Sequence, residues 1–446
     1  MTGRVIEQGH LLAHGVGSRD DLPIPFAYAL TGAAVALIAS FLALGLLWRE
    51  PRLDPAGAGR PVPSWLARGL DARWFRVTLR MLGVVATAYV VMAAVAGRDD
   101  ALNPTAGVVY VLLWIGVPIV SMLVGPVWKM VNPIRSLHWA LSRALRTDPA
   151  EGMSPLPASL GYWPAAVSLL AFVWMELVAP DNTTLPVLRV FFAVYVAVHL
   201  LAATWWGSGW FDKGDGFEVF SSLAGRLSVL GRRADGTIVL RNPLDGVAGT
   251  PVAPGLFAVV GVLLGSTAYD SFANTPWWVT QLQSGPLSAE VTGTLGLFGA
   301  VVIVTSAFAG AAAMSGRGSG LRPLDVGAEY AHSLVPIVMG YVVAHYWSLL
   351  VLIGQQTVIQ LSDPLGTGAN WLGTGGRGID SSLAGPTLVA VVQVVAVVTG
   401  HVLGVVLAHD RAVGILPPRR ALVGQVPLLV LMVCYTVGGL TLLFAA

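Results

Sequence analysis

Long apolar stretches alternate with short polar segments along almost the whole chain. Ten of these stretches come close to or exceed the roughly 20 residues that an α-helix needs to cross a bilayer core. They cover approximately residues 26–48, 77–97, 105–127, 161–178, 185–206, 254–272, 291–313, 326–354, 385–409 and 422–446. The eighth is long and contains Pro336. The pattern predicts an all-α fold, a polytopic transmembrane helix bundle of about ten spans.

The polar intervals leave no room for a separate domain of ordinary size, since the longest runs only from about 207 to 253. Residues 1–25 have neither the apolar core nor the small-residue cleavage site of a signal peptide. We therefore expect an extracytoplasmic N-terminal tail over residues 1–25, followed by a single transmembrane domain over residues 26–446.

The composition agrees with a chain that exposes most of its surface to lipid. Hydrophobic residues make up 55% of the sequence and charged residues only 11%, whereas soluble domains carry about 25% charged residues. The net charge of +2 gives no sign of a nucleic-acid partner, and we expect none. The single cysteine, Cys434, excludes a disulfide framework and a cysteine-based metal site.

Arginine and lysine are concentrated in every second polar segment, which sets the expected orientation. The alternate segments carry almost no positive charge. The basic segments follow the odd-numbered spans and contain Arg49, Arg52, Arg60, Arg68, Arg73, Arg76, Lys129, Arg135, Arg143, Arg146, Lys213, Arg226, Arg232, Arg233, Arg241, Arg317, Arg322, Arg411, Arg419 and Arg420. This bias predicts a multi-pass protein of the cell (plasma) membrane with both termini outside.

Two of the basic segments are predicted to form amphipathic helices that lie in the plane of the lipid headgroups, at Asn132–Arg146 and Phe217–Arg233. Five positions match between them: Ser136, Leu137, Leu141, Ser142 and Arg146 correspond to Ser222, Leu223, Leu227, Ser228 and Arg232. The match hints at a parallel repeat, as in some transporters, although chance is the alternative. Residues 235–243, DGTIVLRNP, predict a short hairpin strand at the inner surface.

Four ionisable residues within the spans are predicted to share a layer nearer the cytoplasm. They are Glu329, His332, His401 and His199. Glu329 and His332 are three positions apart and so point to one helix face. The set suits a divalent metal such as zinc with an open coordination position. The alternative is that these groups bond each other, or backbone groups that Pro336 leaves free.

A second polar group is predicted near the outer face. It contains Glu176, Asp270, His345 and Asp363, with Tyr269, Tyr341 and Tyr346 as candidates to join it. Asp270 and His345 are the candidate catalytic residues, because ionisable groups inside a membrane are costly and default to functional hypotheses. The alternative is ordinary solvation at helix ends.

Other histidines suggest weaker possibilities. His332 and His345 are thirteen positions apart on one span, a spacing found in two-haem membrane cytochromes, but no other span offers a matching pair. A single haem between two histidines stays open. His10 and His14 lie in the tail, where they form either a metal-capturing pair or simply a solvated segment.

Several segments carry a resemblance to a known family. They are AHGVGSRDDLPIP, GSTAYDSFANTPWW, EYAHSLVPIVMGYVVAHYWSLLVLIGQQ, LSDPLGTG and GHVLGVVLAHDRAV. Together they resemble a group of actinobacterial membrane proteins known as fenitrothion hydrolase, after the membrane-bound subunits of an organophosphate-degrading enzyme. The resemblance implies hydrolysis of a phosphotriester and a second membrane subunit. It carries over no catalytic residues.

Three functions are therefore open. The first is a membrane-embedded hydrolase, in which a metal-bound water attacks an apolar small-molecule ester that partitions into the lipid bilayer. The second is a transporter or permease, which suits the suggested repeat, the proline and glycine breaks and the buried charges. The third is a membrane anchor or electron-transfer subunit that binds one haem.

Overall fold

A computed structural model describes residues 19–444. Within them, ten helices are long and apolar enough to cross a membrane. This confirms the predicted all-α polytopic bundle, and the chain is a multi-pass membrane protein. Most of the predicted tail at 1–25, with His10 and His14, lies outside the described residues.

In chain order, the helices are α1 (Phe26–Leu47), α2 (Ser64–Asp71), α3 (Arg73–Ala96), α4 (Pro104–Val124), α5 (Val127–Val131), α6 (Pro133–Ala144), α7 (Trp163–Leu177), α8 (Leu185–Trp206), α9 (Phe211–Gly214), α10 (Gly216–Gly225), α11 (Pro243–Ala248), α12 (Leu256–Ala273), α13 (Pro276–Ser284), α14 (Ala289–Ser315), α15 (Pro323–Tyr330), α16 (Val335–Gln360), α17 (Pro386–Ile415) and α18 (Val426–Leu443). The strands are β1 (Arg60–Pro61), β2 (Leu230–Arg232) and β3 (Ile238–Leu240).

The described chain divides into two compact helical units. Unit 1 contains the described residues up to Asp54, then Val247–Ile353, and the residues from Asp380 onward. Unit 2 contains Pro55–Gly246 and Gly354–Ile379. The single transmembrane domain predicted for residues 26–446 stays a prediction.

In unit 1, α12 is the most buried of the long helices, with 72% of its apolar window inside the protein. It packs against α14 and α18, while α17 packs against α1 and α18. Tyr341 of α16 and Val397 of α17 belong to one hydrophobic cluster with Ala33 of α1 and Leu440 of α18. Polar side chains on α12 therefore lie within a packed protein interior.

The eighth span is interrupted near the proline that the sequence singled out. Helix α15 ends at Tyr330, a 3₁₀ turn covers Ala331–Leu334, and α16 begins at Val335 with Pro336 in its first turn. Proline lacks an N–H and fits only the first turn of a helix without breaking it. The span therefore consists of two helices in series.

Two helices of unit 1 approach each other through glycine, and we expect Gly400→Ala to destabilise the protein. A Cβ at Gly400 would lie 2.5 Å from the Pro336 carbonyl oxygen and 3.3 Å from Gly340 Cα. Overpacking of this kind costs about 1–3 kcal/mol. Unfolding in mixed micelles measures the loss. Gly310→Ala is the control, since nothing lies within 4 Å of a Cβ there; equal losses in both variants would refute the close approach.

In unit 2, the predicted hairpin is confirmed. Strands β2 and β3 pair antiparallel, and β1 adds to the other edge of β3. The hairpin turns at Gly236, whose φ is 88°, a conformation that glycine adopts without steric cost.

The two predicted interfacial helices differ from each other. Helix α6 is amphipathic and exposes Leu137, Trp139 and Leu141, as expected. Helix α10 is shorter than predicted, ending at Gly225, and nearly all its residues are buried. It packs against α4, α5 and α7 of the same unit. The chain leaves the helix early because the hairpin begins at Leu230.

Candidate functional site

Asp270 and His345 form a buried carboxylate–imidazole pair in unit 1. Asp270 lies in the last turn of α12 and His345 near the middle of α16. The distance from Asp270 Oδ2 to His345 Nε2 is 2.9 Å, and the residues are only 4% and 6% exposed. Tyr346 donates a second hydrogen bond to the same Oδ2, at 3.0 Å. The structure thus brings the two candidate catalytic residues into direct contact.

The hydrogen bonding continues beyond the pair. His345 Nδ1 lies 3.2 Å from Ser271 Oγ, and Ser271 Oγ lies 2.8 Å from the Tyr341 hydroxyl. The result is a chain of five polar side chains from Tyr346 to Tyr341, which we call the Asp–His chain. Hydroxyl and imidazole groups both donate and accept. Protons can therefore be rearranged along the Asp–His chain without moving the backbone.

Aromatic side chains border the Asp–His chain on the side of α13. The Tyr269 ring packs edge-on against Trp278 at 5.9 Å between centroids, and Phe272 lies 5.1 Å from Trp278. Trp277 next to it is exposed. Tyr341 and Tyr346 join the Asp–His chain as proposed from the sequence, whereas Tyr269 packs against the tryptophan. Glu176 and Asp363, also expected in this group, belong to unit 2.

This arrangement is suited to holding a proton. Hydrogen bonds strengthen in a low-dielectric interior, and an unpaired charge there is costly. A carboxylate and an imidazole in contact can share one proton, and hydroxyl groups on both sides stabilise either distribution. Asp and His residues within membrane spans commonly serve in proton relays. The Asp–His chain therefore has the composition of a proton-binding site.

The four residues predicted as metal ligands have other partners. His332 Nδ1 donates to the Glu329 carbonyl oxygen at 2.8 Å, while the Glu329 carboxylate lies 3.2 Å from Arg411 Nη1. His401 Nδ1 donates to the Val397 carbonyl oxygen at 2.9 Å. His199 belongs to unit 2, where its Nδ1 accepts a hydrogen bond from Trp210 Nε1.

Within residues 19–444, no group of three or more His, Cys, Asp or Glu side chains is placed to hold a metal ion. His401 Nε2 is nevertheless buried without a hydrogen-bond partner. The hypothesis of a metal site at Glu329, His332, His401 and His199 stays a prediction.

Elemental analysis of the purified protein tests this hypothesis. If the four residues bind a metal, the purified protein contains zinc, iron or copper that disappears in His332→Ala and His401→Ala. Protein without stoichiometric metal would contradict the hypothesis and would agree with the pairing of Glu329 with Arg411 and of His199 with Trp210. His138→Ala is the control, since His138 is a buried histidine outside the predicted set.

Sequence analysis missed a second buried polar cluster, in unit 2, which we call the cap cluster. Asn132 caps the N-terminus of α6 and Asp215 caps that of α10. Asn132 Nδ2 also donates to Asp215 Oδ2 at 2.8 Å and to Glu218 Oε2 at 2.9 Å. Arg135 Nε donates to Glu218 Oε2 at 3.1 Å, and Tyr195 donates to Asp215 Oδ1 at 2.7 Å.

Burial dominates the electrostatics of the cap cluster. Asp215, Glu218 and Asn132 are almost completely buried. Burial raises the pKa of Glu218 above its ordinary value, and the hydrogen bonds and charge of Arg135 offset part of the rise. Removing the guanidinium would leave a buried acid without its cation.

The pairs in the cap cluster share one spacing. Lys129 contacts Asp212, Asn132 contacts Asp215 and Arg135 contacts Glu218, and each pair is separated by 83 positions. The two segments that supply these pairs are built alike. Residues 127–144 and residues 211–225 each contain a short helix, a capping residue and a longer helix in that order. Contacts between equivalent positions are typical of repeats related by a local two-fold axis. Two of the three pairs, Lys129–Asp212 and Arg135–Glu218, carry opposite charges, and their common spacing is the signal that sequence analysis did not use.

The structure changes the register of the suggested repeat. The sequence match aligned Ser136 with Ser222, which is three positions away from the spacing that the paired side chains adopt. The capping residues are better markers of equivalence, because they start the two helices.

Comparison of the chain with family models, curated proteins and solved structures gives no significant match.

Proposed function

We propose that the protein is a proton-coupled membrane transporter in which Asp270 and His345 take up and release the proton. The observation that carries the proposal is the 2.9 Å contact between Asp270 on α12, the most buried span of unit 1, and His345 on α16. A buried carboxylate is tolerated in a membrane protein when a partner neutralises it, and such groups mark ion pathways. The hydroxyl groups of Tyr346 on the Asp270 side, and of Ser271 and Tyr341 on the His345 side, can donate or accept hydrogen bonds as the proton moves.

Two features outside the Asp–His chain support transport. The eighth span tightens to 3₁₀ geometry at Ala331–Leu334, and a 3₁₀ segment within a helix often marks a functional hinge. The equal spacing of the pairs in the cap cluster supports a parallel repeat in unit 2, which is another transporter feature. The positive-inside bias further supports a plasma-membrane location with both termini outside.

Currents recorded from proteoliposomes on a solid support test transport directly. Concentration jumps of amino acids, sugars, carboxylates and organic cations would be applied in turn, at several pH values. We expect one solute class to give a transient current that requires a proton gradient. His199→Gln is the matched control for His345→Gln, because His199 is also a buried histidine on a span but belongs to the other unit. Currents from no class, or currents that survive His345→Gln, would contradict the proposal.

A second candidate function, ester hydrolysis, has one specific observation in its favour. The side chains of Ser271, His345 and Asp270 are hydrogen-bonded in the order of a catalytic triad, with His345 between the other two. Ser271 Oγ would attack the phosphorus of an aryl phosphotriester, His345 would take the serine proton, and an aryl oxide would leave and accept that proton. Water would then release the phosphoryl group from Ser271. This agrees with the substrate class that the family resemblance implies.

The two candidates respond differently to Ser271→Ala. Hydrolysis requires the Ser271 oxygen as nucleophile, so Ser271→Ala should abolish release of the aryl oxide from a dialkyl aryl phosphotriester. Transport requires the Asp270–His345 pair, and Ser271 supplies only one of the three hydroxyls beside it, so Ser271→Ala should reduce solute currents without abolishing them. Chromogenic release by detergent-solubilised protein, compared with the currents, decides between the candidates.

A further inference from the structure

Two arginines, Arg80 and Arg143, lie against an exposed tryptophan at one end of α3, in unit 2, and a third, Arg76, lies one turn before Arg80. Arg76 and Arg80 lie in the first turns of α3, and Trp139 and Arg143 lie on α6, which packs against α3. The guanidinium carbon of Arg80 is 5.9 Å from the Trp139 ring centroid, and that of Arg143 is 5.7 Å away. The indole thus has a cation near it from each helix.

The arginines of this cluster have no ion-pair partner of their own in the described part of the chain. Among the described residues, no carboxylate forms an ion pair with Arg76, Arg80 or Arg143. The positive charge of Arg76 helps to lower the pKa of Asp71, but the Asp71 carboxylate accepts its hydrogen bonds from Arg232. Arg76 and Arg80 repel each other, and Arg143 adds a third positive charge at the same indole ring, so the cluster is more stable with an anion beside it.

The surroundings of the cluster are those of a lipid boundary. Helix α3 is the least buried of the ten long helices, with only 11% of its apolar window inside the protein. Leu137 and Leu141 on α6, and Leu145 directly after it, are also exposed. Exposed leucines and tryptophan beside arginines are typical of a helix at the level of the lipid headgroups. An anion reaching this cluster would therefore come with acyl chains attached.

We propose that Arg76, Arg80, Arg143 and Trp139 form a binding site for an anionic phospholipid. Guanidinium groups bind phosphate oxygens through paired N–H donors, and the Trp139 ring supports the two arginines that contact it. The acyl chains lie along the exposed face of α3. A net negative lipid such as phosphatidylglycerol satisfies the three cations, whereas the choline group of phosphatidylcholine adds a fourth positive charge.

Competition binding with the full-length protein tests the site. Fluorescent phosphatidylglycerol is bound in neutral detergent micelles and displaced by unlabelled phosphatidylglycerol, phosphatidylcholine or inorganic phosphate. We expect phosphatidylglycerol to displace best. Arg80→Gln and Arg143→Gln should each weaken its binding about fivefold, as expected for about 1 kcal/mol per basic residue near an anionic headgroup.

Four comparisons decide the outcome. Arg60→Gln, an exposed arginine in β1 outside the cluster, is the control and should bind phosphatidylglycerol as wild type does. Phosphatidylcholine binding should be equal in all variants, which separates loss of the site from loss of the fold. An unchanged preference for phosphatidylglycerol in the double variant Arg80→Gln/Arg143→Gln would overturn the proposal. Displacement by inorganic phosphate as effective as by the lipid would also overturn it, in favour of a soluble phosphate.

Discussion

Arg135→Ala is expected to destabilise unit 2 by about 3–5 kcal/mol, the typical cost of breaking a buried ion pair. The variant removes both hydrogen bonds to the Glu218 carboxylate, which is completely buried. Asn132 continues to donate to Glu218, but it supplies no charge. A buried carboxylate must then either stay charged without a cation or take up a proton. The free energy of unfolding in mixed micelles measures the loss.

Two variants control this prediction. Arg143→Ala removes an exposed arginine from the same helix and, in detergent without anionic lipid, should change the free energy of unfolding by less than about 0.5 kcal/mol. Replacing both partners, in Arg135→Met/Glu218→Met, should recover most of the stability, because no unpaired charge remains. A loss in Arg135→Ala no larger than that in Arg143→Ala would show that the cap cluster does not hold unit 2 together.

Asp270→Asn is expected to abolish proton-driven currents while leaving the protein folded. The amide keeps the size of the carboxylate and can still accept a hydrogen bond from Tyr346 or His345, but it does not exchange a proton. His345→Leu is predicted to be more harmful, because it leaves Asp270 as a buried charge without its partner, at a cost of about 3–5 kcal/mol. Currents from proteoliposomes and unfolding in mixed micelles are measured on the same preparations.

Asp380→Asn is the matched control for Asp270→Asn. Asp380 lies in a loop of the same unit, and its side chain accepts from the Ser382 backbone N–H. It should keep wild-type currents. Equal loss of current in both aspartate variants would indicate a general effect of charge and would contradict a specific role for Asp270.

The spans were predictable because their cause is local. A helix that crosses lipid must be apolar over its whole length, so the stretches were visible one at a time. The interruption before Pro336 and the hairpin at Gly236 were predictable for the same reason, since each follows from the backbone of a few neighbouring residues.

The contacts between spans were only partly predictable. Counting residues from the end of a span gives the depth of a side chain, and it correctly grouped Asp270 with His345. It does not give the direction in which a helix faces its neighbours. Glu329 and His332 share a depth and a helix face, yet the carboxylate turns to Arg411 and the imidazole to a backbone carbonyl.

Helix α10 and the cap cluster were missed because their cause is not local. The polar residues of Phe217–Arg233 were interpreted as the solvent-exposed face of an interfacial helix. In the structure, Glu218 is buried because Arg135 and Asn132 reach it from 83 and 86 positions away along the chain. The periodicity of a single helix does not reveal such a partner. Residues of opposite charge that recur 83 positions apart, such as Lys129 with Asp212 and Arg135 with Glu218, would have indicated it.

Infrared difference spectroscopy between acidic and alkaline buffer tests the central claim, that Asp270 and His345 bind a proton. Wild-type protein in lipid is predicted to give a band, from a protonated carboxyl group or an imidazolium, that appears on acidification. The band should be missing from Asp270→Asn and from His345→Gln and present in Asp380→Asn. A difference spectrum that is the same in wild type, Asp270→Asn and His345→Gln would contradict the account.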